Sequence, residues 1–137
     1  EENQLVVFWG IPINGDPSDD PPVLQGVNVI DQPVEWHLEH GSCSEFLLMM
    51  LHWQAVCGGM AFTGSADISS VTRTHIRASW PFVGEMGGML VFARDGSAVC
   101  IIGEGDALQL FVGGRSKQDF NLIYDEFGRI GVKLERV

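Results

Sequence analysis

A two-residue turn in the second half of the chain constrains the fold more than any other feature of the sequence. Asp95 and Gly96 stand between two apolar segments, residues 89–94 and 97–102. Asp-Gly is a favoured pair for a tight hairpin turn, because such turns need a positive φ that glycine adopts without strain. Residues 107–112 form a third apolar segment after another glycine-containing turn. The sequence therefore predicts an antiparallel sheet in this half.

Residues 42–57 have the pattern of a helix. Ser42 and Glu45 have the spacing of a capping box, and Gly58-Gly59 marks the end. The segment is apolar nearly all round, so we expect this helix to be the buried spine of the fold. The side chains expected to be largely buried are Phe46, Leu47, Met50, Leu51 and Trp53. Truncation of Leu47 or Leu51 to alanine should then cost about 2–5 kcal/mol.

The end of the chain predicts a shorter closing helix and a last strand. We expect the helix to begin after Ser116 and to end at Gly128. Its apolar stripe consists of Phe120, Ile123, Tyr124 and Phe127. Over residues 130–135, apolar residues then alternate with glycine and charged residues. This alternation is typical of a half-solvated strand near a sheet edge.

The remaining segments complete a prediction of fold class. Residues 5–10, 23–30 and 34–38 are expected strands, and a turn-rich acidic loop at residues 14–22 separates the first two. Residues 68–80 fit either a helix capped by Ser69 or Ser70, or a strand. Hairpins combined with helices indicate an α+β fold, with a mainly antiparallel sheet packed on one buried helix and a shorter closing helix. We expect a single domain over residues 1–137.

Charge is segregated along the chain. Ten of the 18 acidic residues and none of the eight basic residues precede Arg73, and the net charge is −10. An acidic surface repels phosphate backbones and anionic lipids and attracts cationic partners. We therefore expect a basic protein as partner and no binding to nucleic acid or membranes. The alternative is an acidic cytoplasmic domain whose surface simply follows composition.

The sequence contains few residues arranged for chemistry. His37, Glu39 and His40 would need further ligands to hold a metal, and surface polarity explains them as well. Neither His52 nor His75 is placed by spacing to add a ligand, and His52 fits a partly buried histidine of the apolar helix. No serine lies in a nucleophile elbow, and no cysteine has a cationic neighbour that would stabilise a thiolate. We expect no catalysis, no metal and no cofactor.

Other residue types have structural interpretations. The glycine pairs at 58–59, 87–88 and 113–114 lack the context of a phosphate loop and are expected in turns and caps. The four tryptophans are expected to fill the core, unless they meet at the surface as an interface. The odd number of cysteines, three in all, favours buried free thiols in a reducing cytoplasm. From the acidic first residues we expect no secretory leader, and no apolar segment is long enough to predict a membrane span.

The amino-terminal segments resemble a known family. The match consists of Glu2-Asn3-Gln4-Leu5-Val6-Val7-Phe8-Trp9-Gly10, then Asp19-Asp20-Pro21-Pro22-Val23, then Trp36 and the helix from Ser44-Glu45-Phe46-Leu47. In order and spacing, these pieces resemble the SMI1/KNR4-like proteins of the SUKH superfamily over residues 2–56. The resemblance implies an α+β binding module without catalytic residues, most often a bacterial immunity protein that neutralises a toxin such as a nuclease. Such proteins usually carry a helical region before this segment, so we expect a shortened member.

Two functional hypotheses follow. In the first, the chain is an immunity-type module, and its partner-binding residues are carboxylates of the acidic loop and of the third strand. These residues are Asp16, Asp19, Asp20, Glu35 and Glu39. In the second, the chain is a small-molecule-binding or enzymatic domain, which an apolar cavity containing His37, Glu39 or His75 would favour. The short start also leads us to expect a homodimer that covers apolar surface or a strand edge left open by residues 5–10 and their neighbours.

Overall fold

The computed structural model describes residues 6–13, 18–29 and 31–136. The chain forms two compact units, Glu1–Leu48 and Met49–Val137. The expectation of a single domain over residues 1–137 stays a prediction. The α+β class with antiparallel sheets is confirmed.

The first unit contains a three-stranded antiparallel sheet. Its strands are β1 (Val6–Gly10), β2 (Val23–Asn28) and β3 (Glu35–His40), and β2 lies between the other two. The sequence predicts all three strands, although β2 ends earlier and β3 ends later than expected. Predicted strand residues Leu5 and Ile30 lie outside the described part of the chain.

Helix α1 (Cys43–Gln54) begins where the sequence predicts. The Ser42 hydroxyl oxygen accepts the Glu45 amide at 3.2 Å, which caps the first turn. The helix ends at Gln54, three residues before the predicted end, and a π-helical turn follows at Ala55–Gly59. Gly58 adopts a φ of 117° in that turn, a conformation that favours glycine.

The burial of α1 differs from the prediction. Phe46 and Met49 are buried, whereas Leu47 is 55% exposed and Leu51 is 68% exposed. Met50 and Trp53 are half-buried. Because α1 is apolar nearly all round, its sequence pattern gives little signal that selects one face for burial. The prediction of a buried spine is therefore wrong. The expected cost of truncating Leu47 or Leu51 assumed that both side chains are buried, and this assumption is wrong as well.

The second unit is built on an antiparallel sheet that contains six strands among the described residues, in the order β5-β6-β7-β8-β4-β9. The strands are β4 (Phe62–Ile68), β5 (Phe82–Met86), β6 (Met89–Arg94), β7 (Ser97–Glu104), β8 (Ala107–Gly114) and β9 (Glu135–Arg136). The predicted hairpin at Asp95-Gly96 is confirmed, since Arg94 pairs with Ser97 and Gly96 has a φ of 73°.

Two helices and one sheet face form the main core of the second unit. Helix α2 (Ser70–Ser79) resolves the ambiguous segment and is capped by Ser69, and helix α3 (Lys117–Arg129) is capped by Ser116. Buried side chains of these helices pack with those of the central strands. They include Ile76, Phe92, Val99, Leu110, Ile123 and Phe127. On the opposite face of the sheet, the Trp53 ring meets Phe111 edge-on at 5.1 Å.

Three details of the second unit correct the sequence predictions. Helix α3 has 13 residues against 12 in α1, so the closing helix is not the shorter one. Residues 130–134 are not a strand, although Val132 and Leu134 are buried as the alternation predicts. Gly113 and Gly114 lie inside β8 rather than in a turn. A Cβ on Gly114 would lie 2.6 Å from the Phe120 nitrogen, so close packing explains this glycine.

The tryptophans and cysteines are only partly buried. Trp80 is buried, but Trp9 and Trp36 are exposed, so the expectation that all four tryptophans fill the core is wrong. Cys100 is buried and Cys57 is exposed, which corrects the prediction for Cys57. Within the described residues, no helix combines the length and apolar character that crossing a membrane requires.

Candidate partner-binding surface

The first unit has a strong excess of acidic charge. Residues 1–48 contain nine Asp and Glu residues and no Lys or Arg. Among the predicted site residues, Asp19 and Glu35 are exposed and Glu39 is half-buried. Asp16 lies outside the described residues. No guanidinium or ammonium side chain of this unit neutralises these carboxylates, so the unit attracts cations.

Strand β3 separates polar and apolar side chains onto opposite faces. Glu35 pairs across the ladder with Val27 and His37 with Gln25, whereas Trp36 and Leu38 point to the other face. The Glu35 carboxylate lies 3.9 Å from Nε2 of His37, and both side chains are largely exposed.

The end of β3 is less regular. The ladder shifts register between Val23 and Leu24, which pair with His40 and Leu38. Glu39 falls at this bulge, so strict alternation holds over residues 35–38 only. His40 then turns toward α1: its Nδ1 lies 3.0 Å from the Ser42 carbonyl oxygen, and its Nε2 lies 3.8 Å from the Glu45 carboxylate.

Asp20 has a different role from Asp19 beside it. Its carboxylate accepts hydrogen bonds from the Ser42 hydroxyl, from the Ser44 amide at 2.8 Å and from the Ser44 hydroxyl at 2.7 Å. The Ser42 bond and then those from Ser44 lower the pKa of Asp20 from 3.8 to about 2. Asp20 therefore ties the acidic loop to the first turn of α1, where unpaired amides and the helix dipole favour an anion.

The face of the sheet opposite Glu35 is apolar and open. Trp36 is 47% exposed and Leu38 is 68% exposed, and Ile11 and Ile13 beside them are exposed as well. A shallow pocket of about 230 Å³ lies here, lined by Gly10, Ile11, Pro12, Ile13, Leu24 and Trp36. We call the side chains of Ile11, Ile13, Trp36 and Leu38 the apolar face. Aromatic and aliphatic side chains left in water are typical of an interaction site.

Two glycines and one phenylalanine hold the Trp36 ring. A Cβ on Gly10 would lie 3.1 Å from that ring, and one on Gly26 would lie 3.2 Å from it. Neither position therefore has room for a side chain beside the indole. The Phe8 ring meets the indole edge-on at 5.2 Å. The indole is thus held in place before any partner arrives, which lowers the entropy cost of binding.

The second unit contains larger pockets with different linings. One of about 490 Å³ is lined by residues that include His52, Met60 and Arg115. Another of about 330 Å³ contains Arg73 and Arg77, four residues apart on α2, and Arg77 lies 3.7 Å from the Glu85 carboxylate. Neither of these pockets, nor the pocket beside Trp36, includes His37, Glu39 or His75.

The titratable groups add little chemistry. Burial, and then the proximity of Cys57, raises the pKa of Cys100 to about 12, and burial raises the pKa of Cys57 as well. Both thiols therefore resist the thiolate form that a nucleophile needs. Over the described ranges, no group of three or more His, Cys, Asp and Glu residues is arranged to hold a metal ion.

The apolar face is the part of the site that sequence reasoning missed. The alternation of Trp36 and Leu38 with Glu35 and His37 is visible in the sequence. It marks two faces but does not tell which one the rest of the chain covers. Glycines at positions 10 and 26, inside strands, were the available signal that another group approaches the backbone closely.

Comparisons of the chain with protein families, with curated proteins and with solved structures found no match.

Proposed function

We propose that the chain is a non-enzymatic protein-binding module whose partner is a basic protein. The observation that carries this proposal is the position of the apolar face in a unit with nine acidic and no basic residues. Trp36 supplies the kind of anchor that dominates binding energy at interfaces, and Leu38 adds exposed apolar surface on the same face. The carboxylates of the same unit favour a cationic partner and speed its approach at low salt.

The finer proposal is an immunity-type protein that neutralises a basic bacterial toxin such as a nuclease. A nuclease binds phosphate backbones in a cationic cleft, and an acidic protein can occupy such a cleft. The resemblance of residues 2–56 to SMI1/KNR4-like proteins supports the same class. The proposal includes a cytoplasmic location, where the nuclease would meet its substrate. It also includes a homodimer, which the position of β1 at an edge of its sheet supports.

Co-expression with a basic toxin encoded at the same locus tests the proposal. One variant combines Trp36→Ala with Leu38→Ala, and a second combines Asp19→Asn, Glu35→Gln and Glu39→Gln. Asp20 stays unchanged, because it anchors α1. We expect both variants to lose protection of the cells, and the carboxylate variant to associate more slowly and with a weaker dependence on salt.

A matched control removes three exposed carboxylates from the second unit by Glu104→Gln, Asp106→Asn and Asp125→Asn. This control should protect as well as the wild type, since it changes net charge equally but leaves the proposed surface intact. All variants must retain the circular dichroism of the folded protein. Equal protection by the wild type and both surface variants would show that the interface lies elsewhere. No protection by the wild type would contradict the function itself.

A further inference from the structure

Strand β3 is an open edge of the three-stranded sheet. Within the part of the chain that the structure describes, β3 pairs with β2 alone, so the backbone groups along its other side have no strand partner. Residues 35–38 are exposed on both faces of the strand. Such an edge is a template for a further strand.

Apart from the charges of Glu35 and Glu39, the edge has few of the devices that usually prevent strand addition. Over Glu35–His40 there is no proline and no lysine, and the bulge at Glu39 lies at the end of the strand rather than across it. Four consecutive residues, 35–38, therefore remain regular and accessible.

The side chains of this edge specify what an added strand should carry. Directly opposed residues of paired strands lie on the same face and interact. A residue opposite Trp36 or Leu38 would join the apolar face, whereas a residue opposite Glu35 would lie beside an exposed carboxylate. Because polar and apolar side chains alternate along β3, a strand that pairs with it should alternate basic and apolar side chains.

We propose that β3 accepts an extended segment of the partner as a fourth strand, and that this segment alternates basic and apolar residues. The inference rests on the proposed function, in which the partner is a basic protein. Backbone hydrogen bonds would hold the segment, while its lysines or arginines would meet Glu35 and its apolar side chains would pack on Trp36 and Leu38.

A second copy of this chain fits the edge less well. If β3 paired with itself over its regular residues 35–38, Glu35 of one copy would lie opposite Leu38 of the other, and Trp36 would lie opposite His37. Each of these pairs places a polar side chain beside an apolar one, whereas a basic residue opposite Glu35 forms a favourable pair.

Two synthetic peptides of the same composition test the inference with the whole chain. One alternates lysine and valine over seven residues, and the other carries the same lysines and valines in two separate blocks. We expect the alternating peptide to bind about tenfold or more tightly than the block peptide, because only the alternating one can satisfy both faces of β3. Titration followed by tryptophan fluorescence and calorimetry measures both affinities.

Amide hydrogen exchange of β3 distinguishes strand addition from contact through side chains alone. The alternating peptide should slow exchange at alternate amides of residues 35–38, and the amides of β5, an edge of the other sheet, should not change. Glu35→Lys should weaken binding of the lysine-valine peptide and favour a glutamate-valine peptide instead. Glu104→Lys, the matched change in the second unit, should leave both affinities as in the wild type.

Three results would overturn the inference. These are equal affinity for the two peptides, binding without protection of β3, and β3 protection that rises with protein concentration in the absence of peptide. The last result would identify a second copy as the occupant. If the wild type neutralises its toxin while β3 amides stay unprotected in the complex, strand addition is wrong and the proposed function stands. Failure of neutralisation by the wild type contradicts the function separately.

Discussion

At the scale of single residues, Asp19 and Asp20 show that equal charge does not mean equal role. The sequence predicts both as partner-binding carboxylates of one exposed loop. Both residues are exposed, but Asp20 accepts hydrogen bonds from the Ser42 hydroxyl and the Ser44 amide and so ties the loop to α1. Ser42 and Ser44 lie 22 and 24 residues after Asp20 in the sequence. No local sequence pattern therefore reveals these hydrogen bonds.

Replacing Asp20 should change the pH dependence of stability. The folded state lowers the pKa of Asp20 to about 2 from 3.8, so its contribution is fully present above pH 3.8 and is lost as pH falls toward 2. We expect Asp20→Asn to lower the midpoint of thermal unfolding at pH 7. The difference from the wild type should shrink between pH 4 and pH 2 and nearly vanish at the lower value.

Asp19→Asn is the matched control for this change, since it removes the same charge from the neighbouring exposed position. It should leave the midpoint close to that of the wild type at pH 7. If the two variants unfold alike across the pH range, the bonds from Asp20 to α1 do not stabilise the protein.

At the scale of elements, local signals are reliable and packing signals are not. Asp95-Gly96 predicts its hairpin because these two residues specify the turn. Ser116 predicts the start of α3 because its side chain caps amides of the first helical turn. The position of β4 between β8 and β9 has no such local source. Helix α1 combines both cases: its start is predicted from Ser42, but its buried face depends on contacts far away in the chain.

Leucines of α1 should therefore be far less sensitive to truncation than the core of the second unit. Leu51→Ala and Leu47→Ala, at exposed positions, should change the free energy of unfolding by about 0.5 kcal/mol or less. Ile123→Ala, at a fully buried position of α3, should cost about 2–5 kcal/mol because it leaves a cavity. Chemical denaturation of the three variants measures these values, and a cost above about 2 kcal/mol at Leu47 or Leu51 would show that the helix is buried after all.

At the scale of the whole molecule, the two units differ in how much they bury. Val23, Gly26 and Phe46 are the buried residues among those described in the first unit. The second unit contains a continuous apolar core that joins α2, α3 and the central strands. The sequence predicts the antiparallel class, but not this division, because hydrophobic segments of similar strength occur in both halves. It also predicts an acidic surface, yet the uncovered Trp36 depends on what the rest of the chain leaves open.

The division predicts two levels of protection against hydrogen exchange. Amides of β6, β7 and β8 lie in the centre of the larger sheet and should exchange only through global unfolding. Amides of β1–β3 have few buried neighbours, so we expect them to exchange through a local opening whose free energy is lower by several kcal/mol. Low concentrations of denaturant should then accelerate exchange in the larger sheet more steeply than in β1–β3, because global unfolding exposes more surface. Equal protection and equal denaturant dependence in the two sheets would show instead that both units open together, and the basic partner would then bind a first unit as rigid as the second.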